Sequence, residues 1–195
     1  MQTLWLARHA STAMTGNRWA GSRSDPPLTD EGRTAAADLA ARLFGRLPAG
    51  TIVVSSPSRR AVETAEPIAA ALRVDVEIDD DLREVDVGEL EGRTFDEGAA
   101  LFPELAQRLL AAEREIDWPG GERAADLRAR SAAALGRLEG RSADEAVVVS
   151  HGGVIGELIV TLAGPDALED RWIAAGSAVS LERSGDGWRV AERVP

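Results

Sequence analysis

Three short apolar runs restrict what this chain can fold into. They lie within residues 3–8, 51–55 and 146–150. Runs this short, apolar on both sides of the chain, are typical of parallel strands buried between two layers of helices. The segments between them repeat apolar residues at helical spacing, so strands and helices alternate. We therefore predict an α/β three-layer sandwich with a mostly parallel central sheet and helices on both faces.

Two of these runs end directly in a histidine, and the chain contains only two histidines. His9 follows Arg8 at the end of the first run, and His151 follows the last run and precedes Gly152 and Gly153. A lone histidine near a strand end is commonly structural. That both histidines of this chain lie at such junctions favours a functional role for them. Ligands bind at the carboxyl ends of parallel strands, and the two glycines would let the backbone approach one closely.

The segment after the first strand, residues 10–27, has no periodicity. A loop this long inside a compact domain is commonly functional. Arg18, Trp19 and Arg23 would suit binding an anionic ester. A solvated loop with Trp19 packed on the core explains the same residues equally well, and the sequence leaves both interpretations open.

Two helix starts are predicted next. Thr29 is a typical N-cap for a helix that runs to about Gly45. A second helix opens with Ser56 or Ser58 as its cap and Pro57 in its first turn, together with Arg59 and Arg60. Because a helix N-terminus attracts anions, an arginine there strengthens an anion site.

Carboxylates recur in the segment 82–92, and one of them near a phosphate pocket could act as general acid. Spacing alone does not decide which. The following segment, about 93–118, has a helical pattern broken by Pro103, and we interpret it as a lid-like insert. The last predicted strands form a hairpin around residues 185–187.

Composition excludes several classes of function. A chain of 195 residues fits one domain, 1–195, and its net charge of -11 disfavours nucleic acid and anionic membranes as partners. All 22 basic residues are arginine, so any anion site must use guanidinium groups. We find no signal peptide and no apolar run of the roughly 18 residues that span a bilayer, which predicts a cytoplasmic protein.

The same residues argue against two kinds of catalytic centre. Without cysteine, and with two histidines outside any metal-ligand spacing, a metal site is unconvincing. A Walker loop and the lysine that serves it are missing, which disfavours nucleoside triphosphatase chemistry. A histidine nucleophile that attacks phosphorus would use all the candidate residues.

Short motifs then follow one another in a recognisable order: Arg8–His9, Pro27–Thr29 with Gly32, Ser55–Ala65, Leu82–Gly92, Pro119–Glu122 and Ser150–Gly153. In content and order they resemble the histidine phosphatase superfamily, the phosphoglycerate-mutase-like proteins, from Leu4 to about Leu181. Arg8–His9 is similar to the family's Arg-His-Gly signature. The family's phosphate-binding arginine just before alanine falls on Arg60, and its acid falls on Glu84.

The resemblance implies a mechanism and its residues. His9 would take the phosphoryl group, while Arg8, Arg60 and His151 would hold the phosphoryl oxygens. Glu84 would protonate the leaving group and then activate water. The family requires no metal, so no cofactor is expected.

The chain departs from the family's pattern at two places. Ala10 replaces the usual glycine of the signature, which is a change of one methyl group. A straight count puts the loop's usual asparagine at Thr15, whereas Asn17 and Arg18 resemble the mutases' motif shifted by one residue. Either Thr15 or Asn17 is thus predicted to contact phosphate, with Arg18 and Gly152 also binding substrate.

The favoured function is a metal-independent phosphomonoesterase of the histidine acid phosphatase type that acts on a small phosphorylated metabolite. α-Ribazole phosphate is one candidate substrate. The alternative is a cofactor-dependent phosphoglycerate mutase, which would need a longer lid to keep water from the phosphoenzyme. A non-catalytic phospho-ligand-binding protein is a third option. The oligomeric state stays open, with a homodimer as one possibility.

Overall fold

A computed structural model of the protein describes residues 1–111, 113, 115–167, 173–185 and 187–195. Within these ranges the chain forms one mixed sheet with helices packed on both faces, which confirms the predicted α/β sandwich. The strands are β1 (Thr3–Arg8), β2 (Ile52–Ser55), β3 (Val76–Ile78), β4 (Glu145–Ser150), β5 (Ala178–Ser184) and β6 (Gly187–Val194).

The strands are ordered β3-β2-β4-β1-β5-β6, and the sheet is mostly parallel. Strands β1, β2, β3 and β4 run in one direction, and β5 pairs antiparallel with β1 and with β6. In β1 and β4, Arg8 lies opposite Ser150. The two histidines that follow these strands are therefore neighbours at one edge of the sheet.

Alternation along the strands divides the core into two layers. Leu6 and Val148 face one layer, which includes Leu158, whereas Ala7 and Val149 face the other. Each layer is covered by two of the longer helices, as expected for strands that are apolar on both faces. The helices are α1 (Asp30–Phe44), α2 (Arg59–Leu72), α3 (Phe95–Leu101), α4 (Pro103–Leu110), α5 (Ala124–Glu139) and α6 (Gly152–Ala163).

Local signals place most helix ends where the sequence predicts them. The Thr29 hydroxyl accepts a hydrogen bond from the N–H of Gly32 at 3.0 Å, a cap that contributes about 1 kcal/mol. Gly45 ends the same helix, as predicted. For α2 the prediction was wrong in one detail: Ser58 is the N-cap, so Pro57 precedes the helix instead of occupying its first turn.

The segment after β3 also differs from its prediction. The run of three acidic residues, Asp79, Asp80 and Asp81, predicts a solvated turn. Residues 80–82 instead form a 3₁₀ helix, and Arg137 of α5 binds Asp79 and Asp81 at 2.7 Å each. This segment is therefore attached to α5 just before it reaches Glu84.

The predicted insert consists of α3 and α4, which are separated at Phe102 because proline favours the first position of a new helix. Short 3₁₀ helices also form at Gly88–Leu90 and Pro165–Ala167. Within the described ranges, no helix combines the length and apolar character needed to cross a bilayer.

Candidate active site

The two histidines lie side by side under the carboxyl ends of β1 and β4. Their ring centroids are 5.0 Å apart and the rings are tilted by 59°. His9 is 7% exposed and His151 is fully buried. The backbone N–H of His9 donates to the Ser150 carbonyl at 2.9 Å, so the strand pairing itself fixes their separation.

Hydrogen bonding fixes the tautomer of His9. Its Nδ1 lies 2.8 Å from the backbone carbonyl of Ala10, which can only accept. Nδ1 therefore carries the proton, and Nε2 keeps its lone pair. Burial, reinforced by the positive charges of Arg60 and Arg8, lowers the pKa of His9 to about 3, although the bond to Ala10 acts in the opposite direction. The Nε2 atom is thus an unprotonated potential nucleophile at neutral pH.

His151 is held from the neighbouring strand β2. Its Nε2 lies 2.8 Å from the hydroxyl of Ser56, the first residue after that strand. Burial, together with the charges of Arg60 and then His9, holds the pKa of His151 well below its usual value. Both rings are therefore neutral at neutral pH when the site holds no anion.

Backbone carbonyls orient the two arginines beside the histidines. Arg8 donates from Nη1 to the carbonyl of Ile173 at 2.9 Å. Arg60, which is fully buried, donates to the carbonyls of Ser24 at 2.7 Å and Gly21 at 3.2 Å. Burial lowers the pKa of both arginines, and the negative charge of Glu84 opposes that effect.

Some buried nitrogens around His9 have no hydrogen-bond partner in the part of the chain that the structure describes. These are Nε of Arg8, Nε of Arg60 and Nδ1 of His151. The two arginine nitrogens are donors in either case, whereas Nδ1 of His151 is a donor only in the tautomer in which its Nε2 accepts from Ser56. An unsatisfied buried donor costs about 1–3 kcal/mol. Several such donors beside one nucleophile favour a bound anion with several oxygens.

Glu84 reaches the same site from the loop after the 3₁₀ helix 80–82. Its Oε1 accepts from the N–H of Val85 at 2.9 Å, and its Oε2 lies 3.5 Å from the N–H of Gly153. A Cβ atom at residue 153 would lie 2.7 Å from the Glu84 carboxylate and 2.6 Å from the Val85 side chain. A side chain at 153 would therefore displace Glu84 or Val85, so the close approach of Glu84 favours glycine here in addition to the approach of a ligand that the sequence suggests.

A cleft of about 390 Å³ opens above His9. Most of the predicted site residues line it, and the described lining includes Arg8, His9, Thr15, Arg18, Glu84 and Gly152. Arg60 and His151 lie buried beneath this surface. The structure thus brings all five predicted catalytic residues to one place.

The conformation of the first loop distinguishes between Thr15 and Asn17 as the residue that contacts phosphate. Thr15 lines the cleft, and its hydroxyl accepts from the N–H of Thr12 at 2.9 Å. Asn17 is exposed and is not among the cleft-lining residues, so the geometry favours Thr15.

Arg23 is not brought to the site: it pairs with Asp86 at 2.8 Å. Trp19 packs on a small apolar cluster and also borders the cleft, which combines both interpretations of the loop.

Two supporting residues escaped the sequence analysis. Ser56 appeared there only as a possible helix cap, yet it holds His151. Its position directly after β2 is the same signal that marks the two histidines. Thr64, one helical turn after Arg60, accepts from the N–H of Ala10 at 3.0 Å and donates to the Arg60 carbonyl at 2.7 Å.

Ala10 itself, the departure from the family's signature, is fully buried and packs with Leu28 and Ala36. The fold accommodates its methyl group. Among the described residues, no three His, Asp or Glu side chains are grouped so as to hold a metal ion.

Comparisons with known proteins agree with this geometry. The model of the histidine phosphatase superfamily (branch 1) matches residues 4–194. A probable phosphoglycerate mutase, GpmB, from Salmonella paratyphi C is 32% identical over 205 residues, which cover 95% of this chain and 94% of that protein. A bifunctional protein of Mycobacterium tuberculosis is 40% identical over 152 residues, 76% of this chain. The match covers only 40% of that longer relative.

Among solved structures, the native mycobacterial glucosyl-3-phosphoglycerate phosphatase is similar with a TM-score of 0.79 at 30% identity, covering 97% of this chain and 96% of that one. The same phosphatase in complex with VO3 has a TM-score of 0.84 at 29% identity, with 98% of each chain covered. Relatives of both kinds, mutase and phosphatase, thus share nearly the whole length of this chain.

Proposed function

Since the chain belongs to the histidine phosphatase superfamily, we propose that it is a metal-independent phosphomonoesterase that works through a phosphohistidine at His9. The observation that carries this proposal is the arrangement around that ring. His9 Nε2 is unprotonated, and the unpartnered nitrogens of Arg8, Arg60 and His151 lie beside it. A nucleophile next to donors that lack acceptors suits an incoming phosphoryl group.

In the first step, the lone pair of His9 Nε2 forms a bond to phosphorus as the bond from phosphorus to the ester oxygen breaks. Glu84 takes up the proton of the monoanionic ester and gives it to the departing oxygen, which leaves as an alcohol. Arg8 and Arg60 neutralise the charge on the phosphoryl oxygens, and Thr15 and the N–H of Gly152 supply further contacts from the cleft wall. This charge neutralisation is the main contribution that a protein makes to phosphoryl transfer.

In the second step, the Glu84 carboxylate takes a proton from water as the water oxygen bonds to phosphorus and the nitrogen–phosphorus bond breaks. The products are inorganic phosphate and free His9, and Glu84 is protonated again. The bond from Nδ1 to the Ala10 carbonyl keeps the ring in one orientation through both steps.

A phosphoglycerate mutase is the second candidate, and the 32% identity to GpmB favours it. A mutase must return the phosphoryl group to an alcohol before water reaches it. The helices that border the cleft are short, seven residues in α3 and eight in α4. So small a cover favours hydrolysis.

The test is a panel of phosphomonoesters that includes 3-phosphoglycerate and α-ribazole phosphate, scored for phosphate release and for isomerisation. We expect phosphate release to exceed isomerisation for every ester. Faster isomerisation of 3-phosphoglycerate would establish the mutase instead. Equal activity in His9→Ala would overturn both candidates.

A further inference from the structure

Part of the cleft lining is aromatic. We call Trp19, Phe95 and Trp118 the aromatic wall. The Trp19 ring packs edge-on against Phe95 at 4.9 Å and against Trp118 at 5.4 Å between centroids. All three residues line the cleft, and Leu109 and Val87 extend the apolar surface.

Backbone pairing holds this wall beside the catalytic residues. The N–H of Trp19 donates to the carbonyl of Arg93 at 2.9 Å, and the N–H of Gly92 donates back to the Trp19 carbonyl at 2.9 Å. The first loop and the start of α3 thus form one unit. Phe95 is 42% exposed although it is a large apolar side chain, so its ring is accessible to a ligand in the cleft.

Positive charge is scarce in the same part of the cleft. Arg8, Glu84 and Arg18 are the charged residues in its described lining, and Arg8 belongs to the phosphoryl site. Arg18 is exposed and donates to the Gly92 carbonyl at 2.7 Å. A second anionic group on a substrate would therefore meet one solvent-screened cation, which already donates to a backbone carbonyl.

We propose that this site selects phosphomonoesters whose alcohol part is apolar, preferably with a ring that packs on the aromatic wall, and discriminates against esters that carry a second anionic group. This inference rests on the proposed phosphatase function. Burial of a ring against aromatic side chains is favourable, whereas a carboxylate there loses hydration without gaining a partner. Differences of this kind change kcat/KM by roughly ten- to a hundredfold.

The experiment compares 3-phenylpropyl phosphate, glycerol 1-phosphate and 3-phosphoglycerate. All three release a primary alcohol, so intrinsic reactivity does not dominate the ranking. We expect kcat/KM for the phenylpropyl ester to exceed that for 3-phosphoglycerate by about tenfold or more. Phe95→Ala should lower kcat/KM for the phenylpropyl ester about five- to tenfold and leave glycerol 1-phosphate unchanged.

Phe44→Ala is the matched control, since Phe44 is also an exposed phenylalanine, at the end of α1, and is not part of the cleft lining. This variant should leave kcat/KM unchanged for both the phenylpropyl ester and glycerol 1-phosphate. A preference for 3-phosphoglycerate, or an effect of Phe95→Ala that is absent or equal for all esters, would overturn the inference and leave the phosphatase intact. Absence of phosphate release from every ester would overturn the proposed function, and this inference with it.

A second, independent observation concerns a buried ion pair beneath Glu84. The side chains of Arg130 and Glu122 are 7% and 8% exposed. The arginine holds the carboxylate with two bonds, Nε to Oε1 at 2.6 Å and Nη2 to Oε2 at 2.9 Å. A buried pair of this kind is weak support for stability, because the two charges lose their hydration.

The contacts of this pair are concentrated on the backbone around Glu84. Nη1 of Arg130 donates to the carbonyl of Asp81 at 2.6 Å and of Arg83 at 2.7 Å, just before Glu84. The N–H of Glu122 donates to the Asp86 carbonyl at 2.8 Å, just after it. The pair therefore fixes the backbone on both sides of the acid.

We infer that Arg130 and Glu122 are positioning residues that hold Glu84 in place for proton transfer. Lysine cannot reproduce the forked contact, so Arg130→Lys should loosen the loop without removing the charge. A displaced acid slows the reaction most for esters with a poor leaving group, such as an alkoxide. Esters of p-nitrophenol are slowed less, because p-nitrophenolate departs with little help from a proton. Arg130→Lys should therefore lower kcat for glycerol 1-phosphate by about ten- to a hundredfold and affect p-nitrophenyl phosphate much less.

Arg137→Lys is the control, because Arg137 lies on the same helix and binds the same segment through exposed contacts to Asp79 and Asp81. It should leave both substrates unaffected. In a Glu84→Gln background, Arg130→Lys should cause no further loss, because both changes remove the same function. Equal losses for both substrates, or additive losses in the double variant, would overturn the inference in favour of a purely structural pair.

Discussion

The floor of the site and its aromatic wall are built by different parts of the molecule. The floor consists of residues at strand ends and a helix start, Arg8, His9, Arg60 and His151. It is cationic and buried except for the partly exposed Arg8, and backbone carbonyls hold both arginines. The wall comes from a loop and the short insert, is apolar, and leaves Phe95 well exposed. Chemistry is thus assigned to the rigid sheet, whereas substrate choice is assigned to peripheral segments that can vary without disturbing it.

The largest predicted difference between the two regions concerns the nucleophile. Removal of a residue that forms the covalent intermediate abolishes the chemical step, so His9→Ala should lower kcat by about 10⁴-fold or more for every ester. Phosphate release measured with p-nitrophenyl phosphate and an alkyl phosphate checks this. Trp118→Phe, a change confined to the wall, serves as the comparison and should retain most activity. If the His9 variant were as active as the wall variant, the assignment of chemistry to the floor and of substrate choice to the wall would be contradicted.

Glu84→Gln should have the next largest effect. The amide cannot give up a proton to the leaving oxygen, so kcat for alkyl phosphates should fall by roughly 10²–10⁴-fold. For p-nitrophenyl phosphate, the rate of phosphoenzyme formation should fall less. A burst of p-nitrophenolate in rapid-mixing experiments would measure this rate. Identical losses with both leaving groups in that first step would argue that Glu84 is not the acid.

The floor should also make stability dependent on pH. The folded pKa of His9 is about 3, below the 6.5 of an unperturbed histidine, because of burial and the charge of Arg60. Between these values the unfolded chain binds a proton at this residue that the folded chain does not. Stability is therefore lost as pH falls through this window, by up to about 3 kcal/mol at pH 4 for His9 alone.

Urea unfolding from pH 7 to pH 4 measures this effect. His9→Asn cannot take up the proton, so its free energy of unfolding should rise relative to that of the unsubstituted protein as the pH is lowered. A difference between the two proteins that stays constant with pH would show that the His9 ring is not buried in its neutral form.

The smallest effect is expected at the exposed side of the wall. Arg18 is solvent-screened and already donates to the Gly92 carbonyl, so Arg18→Ala should reduce kcat/KM by less than about fivefold for any monoester. Arg93→Ala, which removes an exposed arginine whose Nε donates to the Glu89 carbonyl, is the control. A loss of a hundredfold for 3-phosphoglycerate alone would indicate that Arg18 binds a second anion, contrary to the proposed selectivity.

Sequence patterns predict the floor well for a physical reason. Strands that are apolar on both faces must be parallel and covered, and parallel strands place the residues that follow them at one edge. The positions of His9 and His151 follow from that rule alone. The resemblance to a family then supplied the roles of Arg60 and Glu84, which spacing had left undecided.

The wall could not be predicted in the same way, because it depends on contacts between segments far apart in the chain. Trp19 meets Phe95 and Trp118 only after two loops and the start of α3 have packed together. The same is true of Arg23, which the sequence offers as an anion ligand and the fold pairs with Asp86. The clamp of Arg130 on the backbone around Glu84 likewise leaves no local signal in the sequence.

The most direct test asks where the phosphoryl group goes during turnover. The protein is mixed with a ³²P-labelled phosphomonoester, quenched with alkali within milliseconds and digested, and the labelled peptide is sequenced by mass spectrometry. We expect the label on His9, at a level that increases in Glu84→Gln if the acid substitution slows hydrolysis of the phosphoenzyme more than its formation. A label on another residue, or phosphate release with no covalent label at any time after mixing, would contradict His9 as the nucleophile.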